Sequence, residues 1–430
     1  MIDIKKIRNE KEKVEKALSK KMGQCSLDNV ILLDDKRKFL QQQIDELQRY
    51  RNEKSKEIGR LKSAGVDTSE IIIKMQELGQ RISLLSNQLS DIKLKLKEEM
   101  ESLPNIPDDD ILPGGKENNV VIKKSLNQRN FGFDFKDHIE LESKLGLIDY
   151  NRGIKLSGSG GWVYTGKGAQ LEWALINYCI NEHLRDGWEF VLVPHMLNYD
   201  CGYVAGQFPK FKNEVYWLDD NHDKFLLPTS ETALASLHKN EILTLDSLPK
   251  KYFAYTPCYR VENGSSRKEE RGIIRSHQFN KIEMFQLTKP EESDMFFNEI
   301  LNKAENLVKN LGLHYQISKL AAGDCSASMC RTYAIEGWVP SMGIYKEVSS
   351  VSNCRDYQAR RGNIRFKNEN GDLEFVNTLN GSGLATSRLL PAILEQFQLK
   401  DGSVVIPEVL RPYMGNLEII EPVQTRKLIK

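Results

Sequence analysis

Between Leu33 and Leu103 the chain repeats apolar residues at a spacing that only long helices packed against one another satisfy. Leu33, Arg37, Leu40, Ile44, Leu47, Arg51, Lys54, Ile58 and Leu61 advance by alternating steps of four and three. Met75, Leu78, Ile82, Leu85, Leu89, Ile92 and Leu96 repeat the rhythm with fewer polar intrusions. Each stretch reads as an amphipathic helix whose narrow stripe must be covered by a second stripe. Ser63-Ala64-Gly65-Val66-Asp67-Thr68-Ser69-Glu70 lies between them, with a glycine to break the first helix and Thr68 or Ser69 to cap the second. The two helices are therefore expected to fold back on each other as an antiparallel coiled-coil arm over residues 31–100. Helices of roughly 30 residues rising 1.5 Å each would reach about 45 Å. Heptads by themselves more often serve a dimerisation coiled coil. From Leu33 to Leu103 there are 14 Lys and Arg against 13 Asp and Glu, so charge does not separate a protein-binding arm from an RNA-binding one.

The arm ends at Leu103-Pro104-Asn105-Ile106-Pro107-Asp108-Asp109-Asp110, where two prolines and an acidic run mark a linker. A chain of 430 residues exceeds one typical domain, so the division expected is 1–110, holding the arm, and 111–430. In the second part, helical stretches (Ala169 to Asp186, Pro290 to Gly312) alternate with runs rich in Val, Ile, Tyr and Phe. These runs are Asn118 to Lys123, Phe190 to Val193, Lys251 to Val261, Ile273 to Phe285, Tyr315 to Leu320, Tyr345 to Val351 and Phe375 to Leu379. Several follow one another without an intervening helix, which favours an antiparallel sheet and an α+β fold.

Composition narrows the function less than the pattern does. Lys and Arg (61) balance Asp and Glu (60), so any nucleic-acid contact must be local. No window approaches the roughly 20 apolar residues of a membrane span, and the N-terminus has no apolar run, so a soluble cytoplasmic protein with no membrane partner is expected. The seven cysteines are scattered and form no C-x-x-C pair, which reads as free thiols. Cys325, Cys330 and Cys354 lack an evident fourth ligand, so no zinc is expected.

The densest chemical cluster is Thr256-Pro257-Cys258-Tyr259-Arg260-Val261-Glu262, a loop at Asn263 to Ser266, and Arg271 to Glu283. Read as two strands, it places Arg260 with Glu262 on one face and Arg275 with Phe279 and Glu283 on one face, and a hairpin could bring these faces together. Guanidinium groups suit phosphate or carboxylate, the ring suits a base, and the carboxylates suit an amine or hydroxyl. A solvated face of exposed ion pairs is the plainer alternative, and Phe279 between charged alternates weighs against it. Glu347 and Ser350 in Lys346-Glu347-Val348-Ser349-Ser350 offer hard oxygen ligands for Mg²⁺ on a nucleotide. Asn377 to Ala385, followed by Arg388, holds Gly381 and Gly383, expected to let a ligand approach the backbone. Neither a P-loop nor a dinucleotide G-x-G-x-x-G is present, so ATP, if bound, is bound by an unrelated fold.

With these residues in place the chain resembles the class II seryl-tRNA synthetases. The hairpin is similar to motif 2 of class II aminoacyl-tRNA synthetases, Gly381 to Arg388 to motif 3, and Ala174 to Pro194 to the dimer-forming motif 1. Pro228-Thr229-Ser230-Glu231, Thr378 to Gly383 and Pro407-Glu408-Val409-Leu410-Arg411-Pro412-Tyr413 narrow the likeness to the seryl enzymes, over essentially the whole chain. The resemblance implies a homodimer that makes seryl-adenylate from L-serine and ATP with Mg²⁺ and charges tRNA(Ser), the arm binding the tRNA. It implies that Arg260, Arg275 and Arg388 are catalytic, and that ATP meets Arg260, Val261, Glu262, Phe279, Glu347, Val348, Ser349, Ser350 and Arg388. Mg²⁺ falls to Glu347 and Ser350. Serine falls to Thr229, Ser230, Glu231, Arg260, Glu283, Asn380 and Ser382. His277 is expected to be structural, because a carboxylate nucleophile needs no general base.

One segment departs from the family pattern. Seryl enzymes usually carry Lys-Thr-Tyr-Asp where this chain has Arg331-Thr332-Tyr333-Ala334, after an unusual Asp324-Cys325-Ser326-Ala327-Ser328-Met329-Cys330. The missing carboxylate, expected near the serine pocket, leaves room for a specialised copy, biosynthetic or inhibitor-tolerant. A silent RNA-binding paralogue fits the intact Arg260, Glu262, Phe279, Glu347 and Arg388 poorly. A ligase that loads a carrier protein would have no use for the arm.

Overall fold

The computed structural model describes residues 1–125, 128–262 and 272–423. It divides into two compact units, one of Ile2–Pro104 and one beginning at Asn105.

The first unit is all helix: α1 (Ile4–Asn9), α2 (Lys11–Met22), α3 (Asp28–Ser63) and α4 (Ser69–Ser102). The arm is α3 and α4, of 36 and 34 residues, or about 50 Å each at 1.5 Å per residue. Their seam is the expected stripe, with Ile44, Ile82 and Leu89 buried and Leu40, Leu47, Leu78 and Leu85 packed around them. Gly65, at φ +76°, turns the chain out of α3. Thr68 stands at the N-cap of α4, but its hydroxyl makes no cap bond. Asp67 serves instead, accepting from the Ser69 N–H at 2.9 Å. The short α1 and α2, each burying little more than Ile7 or Val14 and Leu18, are too brief for periodicity to reveal.

The second unit is built on an eight-stranded sheet. In chain order its strands are β1 (Val120–Lys124), β2 (Glu189–Phe190), β3 (Lys250–Tyr259), β4 (Gln278–Thr288), β5 (Tyr315–Lys319), β6 (Arg331–Val339), β7 (Ile344–Arg355) and β8 (Asn377–Ala385). They lie in the order β1-β5-β6-β7-β8-β4-β3-β2, antiparallel except for the terminal β2–β3 pair. This is the antiparallel α+β architecture expected. The strand expected over Phe190 to Val193 is cut to Glu189–Phe190. The Val191 N–H still donates to the Phe253 carbonyl at 2.9 Å, and Pro194 further on has no amide with which to continue a ladder. β6 carries no clear alternation in the sequence because most of its residues are buried on both faces of a central strand.

Three helices, α5 (Gly166–Arg185), α6 (Ser293–Asn310) and α7 (Thr386–Phe397), contribute to the main core against one face of the sheet. Ile282, Met284, Ile335, Val348, Val351, Leu379 and Leu384 form the strand side of that core. Gly381 and Gly383 belong to it too. A Cβ on Gly381 would lie 2.6 Å from Ile300 Cγ2, and one on Gly383 2.4 Å from His183 Nε2. These glycines let helices approach the sheet, which replaces their expected role of admitting a ligand. The alternate residues of the same strands point to the other face. Part of that face is covered by short helices, including Tyr199–Val204, Glu231–Leu234 and Tyr357–Gly362, over a second core containing Val204, Leu234, Ala254, Phe285 and Ala359.

Candidate active site

That second face gathers most of the residues singled out in the sequence. The β3–β4 register sets Cys258 beside Phe279, Thr256 beside Lys281 and Ala254 beside Glu283. The β4–β8 register then sets Glu283 beside Ser382 and Phe285 beside Asn380. Period two thus places Phe279, Lys281, Glu283, Ser382 and Asn380 on one surface. Arg260, Glu262 and Arg275 lie beyond the strand ends, since β3 stops at Tyr259 and β4 starts at Gln278, so strand periodicity does not orient them. The loop at Asn263 to Ser266, and Arg271, lie outside the described residues.

Backbone bonds hold the two hairpin ends together. The Arg260 N–H donates to the His277 carbonyl at 2.9 Å, and His277 Nδ1 lies 3.3 Å from the Arg260 carbonyl. The Val261 N–H donates to the Glu214 carbonyl at 3.0 Å. Arg260 Nε donates to the Pro228 carbonyl at 3.2 Å, and its guanidinium stands 5.1 Å from the centroid of Phe279. Among the described residues it meets no carboxylate, so its charge is held in position and left uncompensated. Arg275, by contrast, pairs with Glu262 at 2.5 Å, which occupies one oxygen of that carboxylate. Glu262 itself adopts φ +52°.

Beside Arg260 is a pocket with two enclosed carboxylates. Glu231 Oε1 accepts from Gln358 Nε2 at 2.8 Å and from Asn380 Nδ2 at 3.0 Å. Burial, and then the charge of Glu283, push the Glu231 carboxyl up to about 7, against the opposing pull of Lys281, Gln358 and Arg260. Glu283 pairs with Lys281 and accepts from Thr229 Oγ1 at 3.1 Å. Ser230, fully buried, shares a hydrogen bond of 2.7 Å with the Thr256 hydroxyl of β3.

A β-bulge decides the geometry of the other cluster. In the β6–β7 register Glu347 faces Glu336, Ser349 faces Ile335 and Ser350 faces Ala334, with Val348 as the extra residue. Residues three apart on a regular strand point to opposite faces, and the bulge brings Glu347 and Ser350 to the same one. Val348 is buried in the helix-side core, and the Ser349 hydroxyl donates to the Ser382 carbonyl at 2.6 Å. Any contact of Val348 with a ligand is therefore through its backbone. Arg388 Nη1 reaches the Glu347 carbonyl at 3.1 Å and its carboxylate at 3.7 Å.

Two pocket residues, Lys281 and Gln358, escaped the sequence reading. Lys281 alternates with Phe279 and Glu283 along β4, so period two was signal enough to find it. Gln358 sits on a short helix with no motif around it.

The departing segment touches this pocket. Ala334 is buried with Leu320, Cys325, Met329 and Cys354, and the Cys354 thiol meets the Met329 sulfur at 3.0 Å. Asn380 Nδ2, which holds Glu231, lies 3.7 Å from that sulfur. Arg331 pairs with Asp108 at 3.0 Å and Asp110 at 2.8 Å, so its charge is met without a carboxylate at 334. Ala334→Asp would place a carboxylate in an apolar, sulfur-rich cluster with no cation to meet it, a cost of roughly 1 to 3 kcal/mol or more. The Ala334→Asp, Arg331→Lys double variant is expected to melt at a lower temperature than the natural chain and to use serine no better. A large gain in kcat/KM for serine would instead identify the segment as drifted towards a specialised role.

Comparison with known proteins agrees with this geometry. Residues 1–107 match the seryl-tRNA synthetase N-terminal domain, and residues 211–397 match the class II tRNA synthetase core domain shared by the G, H, P, S and T enzymes. Serine–tRNA ligase 2 of Clostridium acetobutylicum is 58% identical over 421 residues, covering 96% of this chain and 99% of that protein. The chain belongs to the seryl-tRNA synthetase family. Serine–tRNA ligase of Geobacillus kaustophilus is 41% identical over 98% of this chain and 100% of that one. The crystal structure of the Pyrococcus horikoshii seryl-tRNA synthetase complexed with ATP superposes with a TM-score of 0.92 at 33% identity, covering 99% of this chain and 100% of that one.

Proposed function

We infer that this protein activates L-serine with ATP and transfers it to the 3′ end of tRNA(Ser). The observation that carries the reading is that Arg260, which forms no ion pair among the described residues, stands near two enclosed carboxylates, Glu231 on a short helix and Glu283 on β4. A zwitterionic amino acid with a small hydroxyl side chain complements that set. Its ammonium goes to Glu231, its hydroxyl to Glu283 and Ser382, and its carboxylate to Arg260.

In the first step a serine carboxylate oxygen attacks the α-phosphorus in line, and the bond to pyrophosphate breaks. Arg260 offsets the charge that builds on the phosphoryl oxygens. Phe279 offers a stacking surface for adenine, Glu262 an acceptor for its amino group, and Arg275 and Arg388 further cations for the phosphates. Glu347 and Ser350, brought to one face by the bulge, form a hard-oxygen pair that fits Mg²⁺, which when bound neutralises phosphate charge. In the second step a terminal hydroxyl of the tRNA attacks the seryl carbonyl and AMP leaves. Thr229 closes the serine side of the pocket.

Residues 1–110 are assigned to tRNA binding and 111–430 to catalysis. Leu192, 78% exposed within the segment resembling motif 1, and Met196, 65% exposed just beyond it, offer an apolar surface suited to a homodimer. The cytoplasm, where charged tRNA is used, is the proposed location. No helix among the described residues is long and apolar enough to cross a membrane.

Serine-dependent exchange of pyrophosphate into ATP, run beside aminoacylation of purified tRNA(Ser), tests the reading. Activity in both is expected, and absence of both would refute it. The Glu231 environment adds a pH dependence. With its carboxyl pushed up to about 7, Glu231 takes up a proton as the pH falls through 7 and loses its attraction for ammonium. KM for serine should therefore rise as the pH falls below 7, approaching about tenfold per pH unit. In Glu231→Gln a weaker but level KM is expected, and a profile unchanged from the natural enzyme would assign the titration to another group.

A further inference from the structure

The side chain lodged among the serine ligands is a lysine. Lys281 Nζ pairs with Glu283 Oε2 and donates to Thr229 Oγ1 at 3.2 Å, while Thr229 Oγ1 donates to that same Oε2 at 3.1 Å. The Lys281 side chain is 12% exposed and that of Glu283 2%. Both of these side-chain contacts to Glu283 fall on Oε2, which leaves Oε1 as an open acceptor among the described residues.

An enclosed carboxylate must be met by a cation or take up a proton. The two carboxylates of the pocket solve this differently. Glu231 is held by the neutral amides of Gln358 and Asn380 and pairs with no lysine or arginine among the described residues. Glu283 already has its cation, and what it lacks is one further hydrogen-bond donor. Serine brings one cation, its ammonium, and one neutral donor, its hydroxyl.

We propose that Lys281 is a positioning residue that sets specificity for a neutral hydroxyl side chain. By serving as the internal counter-ion of Glu283 it directs the substrate ammonium to Glu231 and keeps Glu283 Oε1 ready for the hydroxyl. The proposal rests on the reading of Thr229, Glu231 and Glu283 as the serine pocket. Alanine would leave an enclosed carboxylate oxygen without a donor, the kind of loss that gives a polar site its strongest discrimination. Without Lys281, Glu283 would compete with Glu231 for the ammonium, and the penalty against alanine shrinks.

Pyrophosphate exchange with serine and with alanine, measured on full-length Lys281→Met, Lys281→Gln, Lys281→Arg and Glu283→Gln proteins, tests the proposal. In Lys281→Met and Lys281→Gln, KM for serine should rise about tenfold or more with a smaller change in kcat, and kcat/KM for alanine should change little. The serine-to-alanine preference then falls by about tenfold or more, the scale of losing one charge-assisted hydrogen bond. Lys281→Arg keeps the cation and should restore most of that preference, which a purely structural lysine would not require. Equal losses for both amino acids, or an arginine variant no better than the neutral ones, would overturn the role of Lys281. If Glu283→Gln loses serine preference while the Lys281 variants keep it, the pocket reading stands and the lysine proposal fails. If Glu283→Gln keeps the preference, the pocket reading fails and takes the proposal with it.

Discussion

Arg260→Ala is expected to lower serine-dependent pyrophosphate exchange by about a hundredfold or more, the usual consequence of removing a preorganised charge from a transition state. The structure singles out this arginine among the three expected to be catalytic. Arg275 has its charge met by Glu262 at 2.5 Å, and Arg388 leans on Glu347. Arg260 is fixed by a carbonyl and an aromatic ring, neither of which neutralises it. On the proposed assignment its field is available to the serine carboxylate and the α-phosphate together, and both substrates would lose a partner on truncation. Lysine should rescue only in part, since a point charge does not reproduce a planar fork of donors. The melting temperature should move little, because Arg260 makes no buried ion pair among the described residues. Exchange within a few fold of the natural enzyme would rule out the role.

Deleting residues 31–100 should leave adenylate formation largely intact and abolish charging of tRNA(Ser). The arm buries its apolar stripe within itself, through Ile44, Ile82 and Leu89, and the catalytic unit has its own core around Leu175, Ile300 and Ile393. A module that carries its own core is removable at low cost to the other. Exchange within a few fold of the full chain, with aminoacylation at background, is the expected pair of results. Equal loss of both activities in a folded protein would show that the arm also serves the first chemical step.

The arm was legible in the sequence because a coiled coil is specified by local periodicity, and residues three and four apart are neighbours wherever a helix forms. The antiparallel sheet was legible from closely spaced β-rich runs, and the family from the motifs of the hairpin and the C-terminal half. Periodicity also reached Phe279 and Glu283, which remain within a regular strand. It did not reach Arg260, Glu262 and Arg275, because the strands end before them and the chain's course there depends on the hairpin as a whole. The Val348 bulge, which turns Glu347 and Ser350 to the same face, is a misfit between two paired strands and exists only once they pair. Gly381 and Gly383 read as ligand-facing in one dimension and prove to face helices, since a strand's sequence does not say which of its faces is the core. The state of Glu231 was furthest from view. Its partners Gln358 and Asn380 are 127 and 149 residues away in the chain, and its raised pKa arises first from burial, a property of the folded neighbourhood that no local segment encodes.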